Sequence, residues 1–350
     1  MVITRTPFRM SFFGGGTDFE GFYNEHGGSV LSTTFDKYCY VTVRHLPRFF
    51  DYKTHLTYSK EEKVNATEEI KHPAIRNAMK MLDMHEIRLV YDSDLPARSG
   101  LGTSSSFAVG MLGAFYALKG QYAGKKRLAD DAIRLERVLC AEAGGIQDQI
   151  AASFGGLNRI DFFRGGYTVN PVIISPERKR ELNSRLLLFF TGTSRFSSDI
   201  QKETEKSMKD KTQELIEMRQ LVGEAERILT DRTRSLDEFG RLLDHTWRLK
   251  RGISSGISTG PIDEQYGRAM KAGALGGKLL GAGGGGFLLF YVPKEKQGSV
   301  KAALSGQLHV PFAFESEGTK IAVYEAEEFE GQARAAQNNG GTAEWGTSTS

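Results

Sequence analysis

Apolar and polar positions divide the chain into short strands and longer helices. From Tyr38 to Arg44, β-branched and aromatic residues alternate with the rest and predict a strand. Ile70 to Leu82 carries helical spacing, with Pro73 near its start, where a missing N–H costs little. Ile87 to Tyr91 reads as a second short strand. The run from Ser104 to Leu118 places Phe107, Met111, Leu112, Phe115 and Leu118 on one helical face. A further helix is predicted from Lys126 to Cys140 through Leu128, Ala132, Leu135 and Leu139. Short strands and turns return between Asn158 and Pro176. A long amphipathic helix is then expected from Ile200 to Leu229, with Ile200, Met208, Leu215, Met218, Val222 and Leu229 apolar, and another from Leu236 to Arg251.

The polar stretch Pro176-Glu177-Arg178-Lys179-Arg180-Glu181 marks the expected change of unit, giving domains of residues 1–180 and 181–328. The end of the chain, Gly331 to Ser350, is poor in large apolar residues apart from Trp345, and a disordered tail is expected over residues 329–350. No internal repeat is evident.

Glycine changes this picture, because the 40 glycines cluster. Three groups stand beside strand-like or helix-like runs: Gly14-Gly15-Gly16, Gly100-Leu101-Gly102 and Gly281-Ala282-Gly283-Gly284-Gly285-Gly286. Such clusters mark places where backbone turns sharply or approaches a ligand. The second lies in Pro96-Ala97-Arg98-Ser99-Gly100-Leu101-Gly102-Thr103-Ser104-Ser105-Ser106, directly before the Phe107 helix. A glycine-rich turn opening a helix offers unpaired N–H groups and the positive dipole end, which suits phosphate. A plain serine cap would need one serine, and this segment carries more. It is not the GxxxxGK[ST] loop, since no lysine follows the second glycine. The third cluster comes too late in the chain, and leads into a strand, for a dinucleotide fingerprint, so a nicotinamide-dependent oxidoreductase is set aside.

Charge adds little. With 46 basic and 43 acidic residues the formal net charge is +3, which argues for neither nucleic acid nor a membrane surface as partner. Cys39 and Cys140 lie in apolar-patterned segments and read as two reduced core thiols rather than a disulfide, without metal-ligand spacing. The N-terminus lacks an apolar signal core and no apolar run approaches ~20 residues, so a cytoplasmic protein is expected. A homo-oligomer is compatible with all of this.

Taken in order, the motifs resemble those of the GHMP kinases, named for galactokinase, homoserine kinase, mevalonate kinase and phosphomevalonate kinase. The first is Pro7-Phe8-Arg9-Met10-Ser11-Phe12-Phe13-Gly14-Gly15-Gly16-Thr17-Asp18. The second is the Leu95–Ser106 phosphate loop, and the third is Lys278-Leu279-Leu280 with the last glycine cluster and Phe287. The resemblance covers about residues 1 to 328 and implies an α+β fold: an N-terminal α/β domain of the ribosomal S5 domain 2-like type, then a ferredoxin-like C-terminal domain. It implies ATP and Mg²⁺ as cofactors and a small-molecule sugar or sugar phosphate as substrate in the cleft between. Pro96, Ser99, Gly100, Leu101, Gly102, Thr103, Ser104, Ser105 and Ser106 would cradle the nucleotide phosphates. Asp148 would be the base and Arg9 its cationic partner, with Glu136 and Ser104 as magnesium ligands. Without the resemblance Glu136 reads as a solvated helix residue, Asp148 as a helix N-terminal acid and Arg9 as an ion-pair partner.

Galactokinases read Gly-Glu-His-Thr-Asp where this chain has Gly14-Gly15-Gly16-Thr17-Asp18. The acceptor would be held by Gly15, Gly16, Thr17 and Asp18, with Gly145, Gln147, Arg195, Gly283 and Gly284. Together with Gly144-Gly145-Ile146-Gln147-Asp148-Gln149 and Thr191-Gly192-Thr193-Ser194-Arg195, the pattern looks like the heptose kinases, which phosphorylate the anomeric hydroxyl of D-glycero-D-manno-heptose 7-phosphate. Arg98, Arg159, Arg164 and Arg195 are the cations available for a distal phosphate. L-Fucose is the alternative sugar, and a catalytically silent sugar sensor the alternative function. No motif marks the adenine site.

Overall fold

The computed structural model describes residues 1–97, 99–192, 203, 205–207, 210–254 and 256–326. Arg98, Arg195, residues 200–202, 204, 208 and 209 of the helix expected from Ile200, and the tail expected from residue 329 lie outside the described residues.

The first sheet is built on a long antiparallel pair, β1 (Val2–Phe13) and β2 (Gly28–His45). The strand expected from Tyr38 to Arg44 is thus the second half of a longer one. Its period-2 burial gives way to a continuously buried stretch from Gly28 to Phe35, where both faces are covered. Beyond β2 follow, in space, β5 (Ile87–Ser93), β3 (Thr54–Thr57) and β4 (Glu61–Val64). The hairpin of β6 (Asn158–Phe163) and β7 (Gly166–Pro171) pairs with the first residues of β2. The register of β1 slips at Pro7/Phe8, where proline has no N–H for the ladder, and the next N–H but one, that of Arg9, turns to the Leu101 carbonyl (3.2 Å).

The helix Thr103–Leu118 covers this sheet and is buried almost all round, so its polar serines are core residues apart from exposed Ser104. It packs with the helices Pro73–Met81 and Lys125–Ile133 around Val41, Leu89, Met111 and Phe115. The predicted Lys126–Cys140 helix changes winding in its second half: Arg134–Leu139 is a π-helix, closed by the Cys140 N–H to the Leu135 carbonyl (2.9 Å).

The second sheet is antiparallel, in the order β11 (Leu308–His309), β8 (Leu186–Phe190), β10 (Phe287–Tyr291), β9 (Gly276–Leu279). Helices Thr212–Thr230, Asp237–Arg251 and Gly260–Lys271 connect β8 to β9, and Gln297–Ala303 connects β10 to β11. This is the ferredoxin-like arrangement. The polar stretch read as the boundary is itself a helix, Pro176–Ser184, with Ser175 accepting the Arg178 N–H and Pro176 at the first position.

The division at residue 180 separates the two sheets only as far as residue 309. The chain then returns: β12 (Phe314–Glu315) pairs with β2, and β13 (Lys320–Tyr324) pairs with the edge of β1. One apolar cluster spans both units, joining Phe8, Phe12 and Phe35 to Val222, Phe239 and Leu289. The cleft between the sheets therefore has a continuous core beneath it. Among the described residues no helix is long and apolar enough to cross a membrane, and Cys39 and Cys140 are free thiols.

Candidate active site

The cleft opens into a cavity of about 720 Å³ whose walls come from β1 with its following glycine turn, the segments around Tyr58, His72 and Tyr91, the start of the Thr103–Leu118 helix, the segment around Glu136–Asp148, and the segments that carry Lys250 and Lys278. At its centre Arg9, buried on β1, holds Asp148 in the first turn of the helix Gln147–Phe154. The guanidinium donates from Nε to Asp148 Oδ1 (2.7 Å) and from Nη2 to Oδ2 (2.8 Å), a bidentate pair that fixes the plane of the carboxylate. Its third nitrogen, Nη1, donates to the Gly100 carbonyl (2.8 Å), so one side chain joins the expected base to the phosphate loop.

The loop is shaped by backbone-on-backbone contact. A Cβ on Gly281, whose φ is +82°, would lie 2.3 Å from Gly100 Cα, so the second and third glycine clusters meet directly. Gly100, Gly102, Thr103, Ser104 and Ser105 then face the cavity, the last four at the positive end of the helix. The remaining members of the predicted loop are placed differently. Leu101 is in the core, Ser106 Oγ donates to the Pro7 carbonyl (3.0 Å), and neither they nor Pro96 and Ser99 line the cavity.

Glu136 is buried, and the hydroxyl that meets it is that of Ser105, donating at 2.7 Å; Ser104, the serine expected there, is exposed at the cavity rim. The reason is helical phase: successive serines point about 100° apart, and the second turns inward. Gln149 Nε2 also donates to Glu136 Oε2, which leaves Gln149 Oε1 buried without a partner among the described residues. Burial pushes the Glu136 pKa up, partly offset by Arg137 and Ser105.

The cavity wall holds a third carboxylate, Asp18, whose oxygens accept the N–H groups of Gly16 (3.0 Å) and Gln147 (3.3 Å). Burial raises its pKa despite these bonds. Gly145 lies directly over it: a Cβ there would come 1.8 Å from Asp18 Oδ2. Ser11, Gly15, Gly16 and Gln147 complete this wall, and Ser11 Oγ and Gln147 Oε1 are buried with no hydrogen-bond partner among the described residues. Orphaned buried oxygens facing a cavity mark the place of a polar ligand.

Thr17, Gly283 and Gly284, predicted for the same wall, do not line it. The Thr17 hydroxyl ties the Gly14 and Ser29 carbonyls (2.8 and 2.9 Å), while Gly283 and Gly284 pack against Ile257. Of the arginines considered for a distal phosphate, Arg159 pairs with Asp161 and Glu226, and Arg164 is exposed; neither reaches the cavity. Arg98 and Arg195 lie outside the described residues.

Three features escaped sequence reading. Lys250 and Lys278 are buried on the cavity wall, with Lys278 Nζ donating to the Phe12 carbonyl (2.9 Å). At the far end, Tyr58, His72, Tyr91 and Phe107 form an aromatic arm, ring centres 4.9–5.5 Å apart along the series, beside Lys60 and Lys71. A signal for Lys250 did exist: it continues the buried stripe Phe239, Leu243, Thr246, Trp247 of its helix, where a lysine is out of place.

Comparison with known proteins places the chain in a family. The models for the GHMP kinases N terminal domain and the GHMP kinases C terminal region match residues 66–156 and 224–310. The chain is 30% identical over 343 residues to D-glycero-alpha-D-manno-heptose 7-phosphate kinase of Campylobacter jejuni, spanning 91% of this chain and 98% of that protein. It is 31% identical over 220 residues to the L-fucokinase/L-fucose-1-P guanylyltransferase of Bacteroides fragilis, which is 59% of this chain but 22% of that one. In fold it matches the crystal structure of a D-glycero-D-manno-heptose 1-phosphate kinase from Bacteroides thetaiotaomicron, with a TM-score of 0.76 at 24% identity over 93% of this chain and all of the other. The chain belongs to the GHMP kinase family.

Proposed function

We propose that this protein is an ATP-dependent sugar kinase that transfers the γ-phosphoryl group to the anomeric hydroxyl of D-glycero-D-manno-heptose 7-phosphate, yielding the 1,7-bisphosphate used in nucleotide-activated heptose synthesis. The observation that carries the kinase reading is the Arg9–Asp148 pair bonded to the Gly100 carbonyl of the phosphate loop. The choice of sugar rests on likeness to the Campylobacter jejuni heptose 7-phosphate kinase along nearly its whole length.

In this reading the aromatic arm takes the purine and the helix N-terminus takes the phosphates. Ser11, Asp18 and Gln147 hold the sugar hydroxyls. Asp148 accepts the proton of the attacking hydroxyl, and Arg9 keeps that carboxylate aimed and meets the charge on the group in transit. The oxygens of Glu136 and Ser105, with the orphaned Gln149 Oε1 nearby, would hold a hard cation such as Mg²⁺. When bound, that ion would neutralise phosphate charge. A coupled ADP-release assay comparing heptose 7-phosphate with free heptose, mannose and L-fucose tests the substrate: highest kcat/KM on the phosphorylated heptose is expected, and equal efficiency on L-fucose would refute the heptose assignment.

Two substitutions separate the subsites. Glu136→Gln should raise the Mg²⁺ concentration for half-maximal activity by about tenfold or more, the usual scale for a lost or altered ligand shell, with little change in sugar KM. An unchanged Mg²⁺ titration would remove Glu136 from the metal site. Gly145→Ala forces Asp18 to move, because its new methyl would overlap the carboxylate. Sugar KM should rise by roughly 10–100-fold while ATP KM holds, since a misplaced acceptor leaves substrate hydroxyls unpaired. Steady-state kinetics in both substrates checks this, and equal rises in both KM values would contradict it.

A further inference from the structure

Lys250 is a buried ammonium without an ion-pair partner among the described residues, and its one hydrogen bond there is from Nζ to the Gly281 carbonyl. Burying a cation so sparsely bonded is costly, and a methionine would fill the same volume without that cost. Its neighbours explain what the charge faces. Gly281 lies directly on Gly100, and the Gly100 carbonyl takes Arg9 Nη1. The ammonium is therefore two backbone contacts from the guanidinium that holds Asp148, and it feels the charges of Arg9, Asp18 and Asp148. Lys278 differs. It ties β9 to the Phe12 carbonyl of β1, and burial with two cationic neighbours, Lys250 and Arg9, drives its pKa down.

Resting on the kinase reading above, we propose that Lys250 is a second cation of the reaction centre, donating its two remaining N–H groups to non-bridging oxygens of the phosphoryl group in transit. As the acceptor oxygen bonds to phosphorus, the bond from phosphorus to the ADP oxygen breaks and ADP keeps the electron pair. The hydroxyl proton passes to Asp148. Lys250 retains its protons throughout and contributes only hydrogen bonds, strongest when negative charge spreads over the transferring oxygens.

The free site tunes this group. Burial, and then the Arg9 charge, lower its pKa to about 8, while Asp18 and Asp148 pull it back up; Lys278, on the same wall, has its own pKa driven down by burial. A depressed lysine loses its proton as the pH rises, so kcat/KM, which reports the free enzyme, should fall above about pH 8. Bound phosphate favours the ammonium, so kcat should hold to higher pH.

The test compares wild type, Lys250→Met and Lys250→Arg by ADP release with heptose 7-phosphate across pH, with ADP plus aluminium fluoride as a mimic of the transferring group. Lys250→Met should fold with no loss of Tm and bind ATP normally, yet lose roughly 10²-fold in kcat, with the mimic weakened by a similar factor. Its alkaline limb in kcat/KM should vanish, and Lys250→Arg should recover part of kcat without restoring the limb. If wild type turns over and Lys250→Met stays within about threefold of it, or keeps the alkaline limb, the lysine proposal falls while the kinase reading stands. If wild type releases no ADP with any sugar, both fall together.

Discussion

Asp148→Asn is expected to bind ATP as tightly as wild type and to lose roughly 10²–10⁴-fold in kcat, the span covered by removal of a general base. The amide keeps the size of the carboxylate and one acceptor oxygen, so the helix Gln147–Phe154 and its neighbours should be undisturbed. It loses the second of the two oxygens that Arg9 engages (2.7 and 2.8 Å) and cannot take up a proton. Calorimetry with a non-hydrolysable ATP analogue, run beside steady-state kinetics, separates the two effects. Near-normal kcat in a folded variant would move Asp148 out of the reaction centre.

Arg9→Met should be next in severity, with kcat lowered by about 10²–10³-fold, comparable to loss of one fixed donor to a developing charge. Here the effect has two parts. The variant removes a cation from the transferring group and also frees Asp148 and the Gly100 carbonyl from their common anchor. Arg9→Lys should recover little, because an ammonium cannot form the planar two-point contact with a carboxylate and reach the loop carbonyl together. Full recovery in Arg9→Lys would mean that charge alone matters and that the fork geometry is incidental.

The placement of the candidate site residues is legible in sequence where it depends on local backbone. Clustered glycines announce close approach, and the meeting of Gly281 with Gly100 explains why two distant clusters share that composition. Motifs point to Arg9, Glu136, Asp148 and Asp18 as candidates, and the cavity brings all four together. What escaped depends on phase and on distance in sequence. Ser104 and Ser105 are equivalent as letters, but the helix turns Ser105 toward Glu136. The π-helical segment that carries Glu136 has no distinct sequence pattern. Thr17, Gly283 and Gly284 share motifs with site residues yet serve turns and packing. Lys250 lies within the basic run Arg248-Leu249-Lys250-Arg251, where only its helical phase tells it from solvated neighbours. The return of β12 and β13 to the first sheet was hidden because they are short or edge strands with little apolar alternation.

Phosphorus NMR of the product formed from ATP and D-glycero-D-manno-heptose 7-phosphate tests the central claim most directly. The account predicts one new phosphomonoester resonance, coupled to the anomeric proton, growing in step with ADP while the 7-phosphate signal persists. A new resonance coupled to any other sugar proton, or ADP formed with no new sugar phosphate, would contradict it.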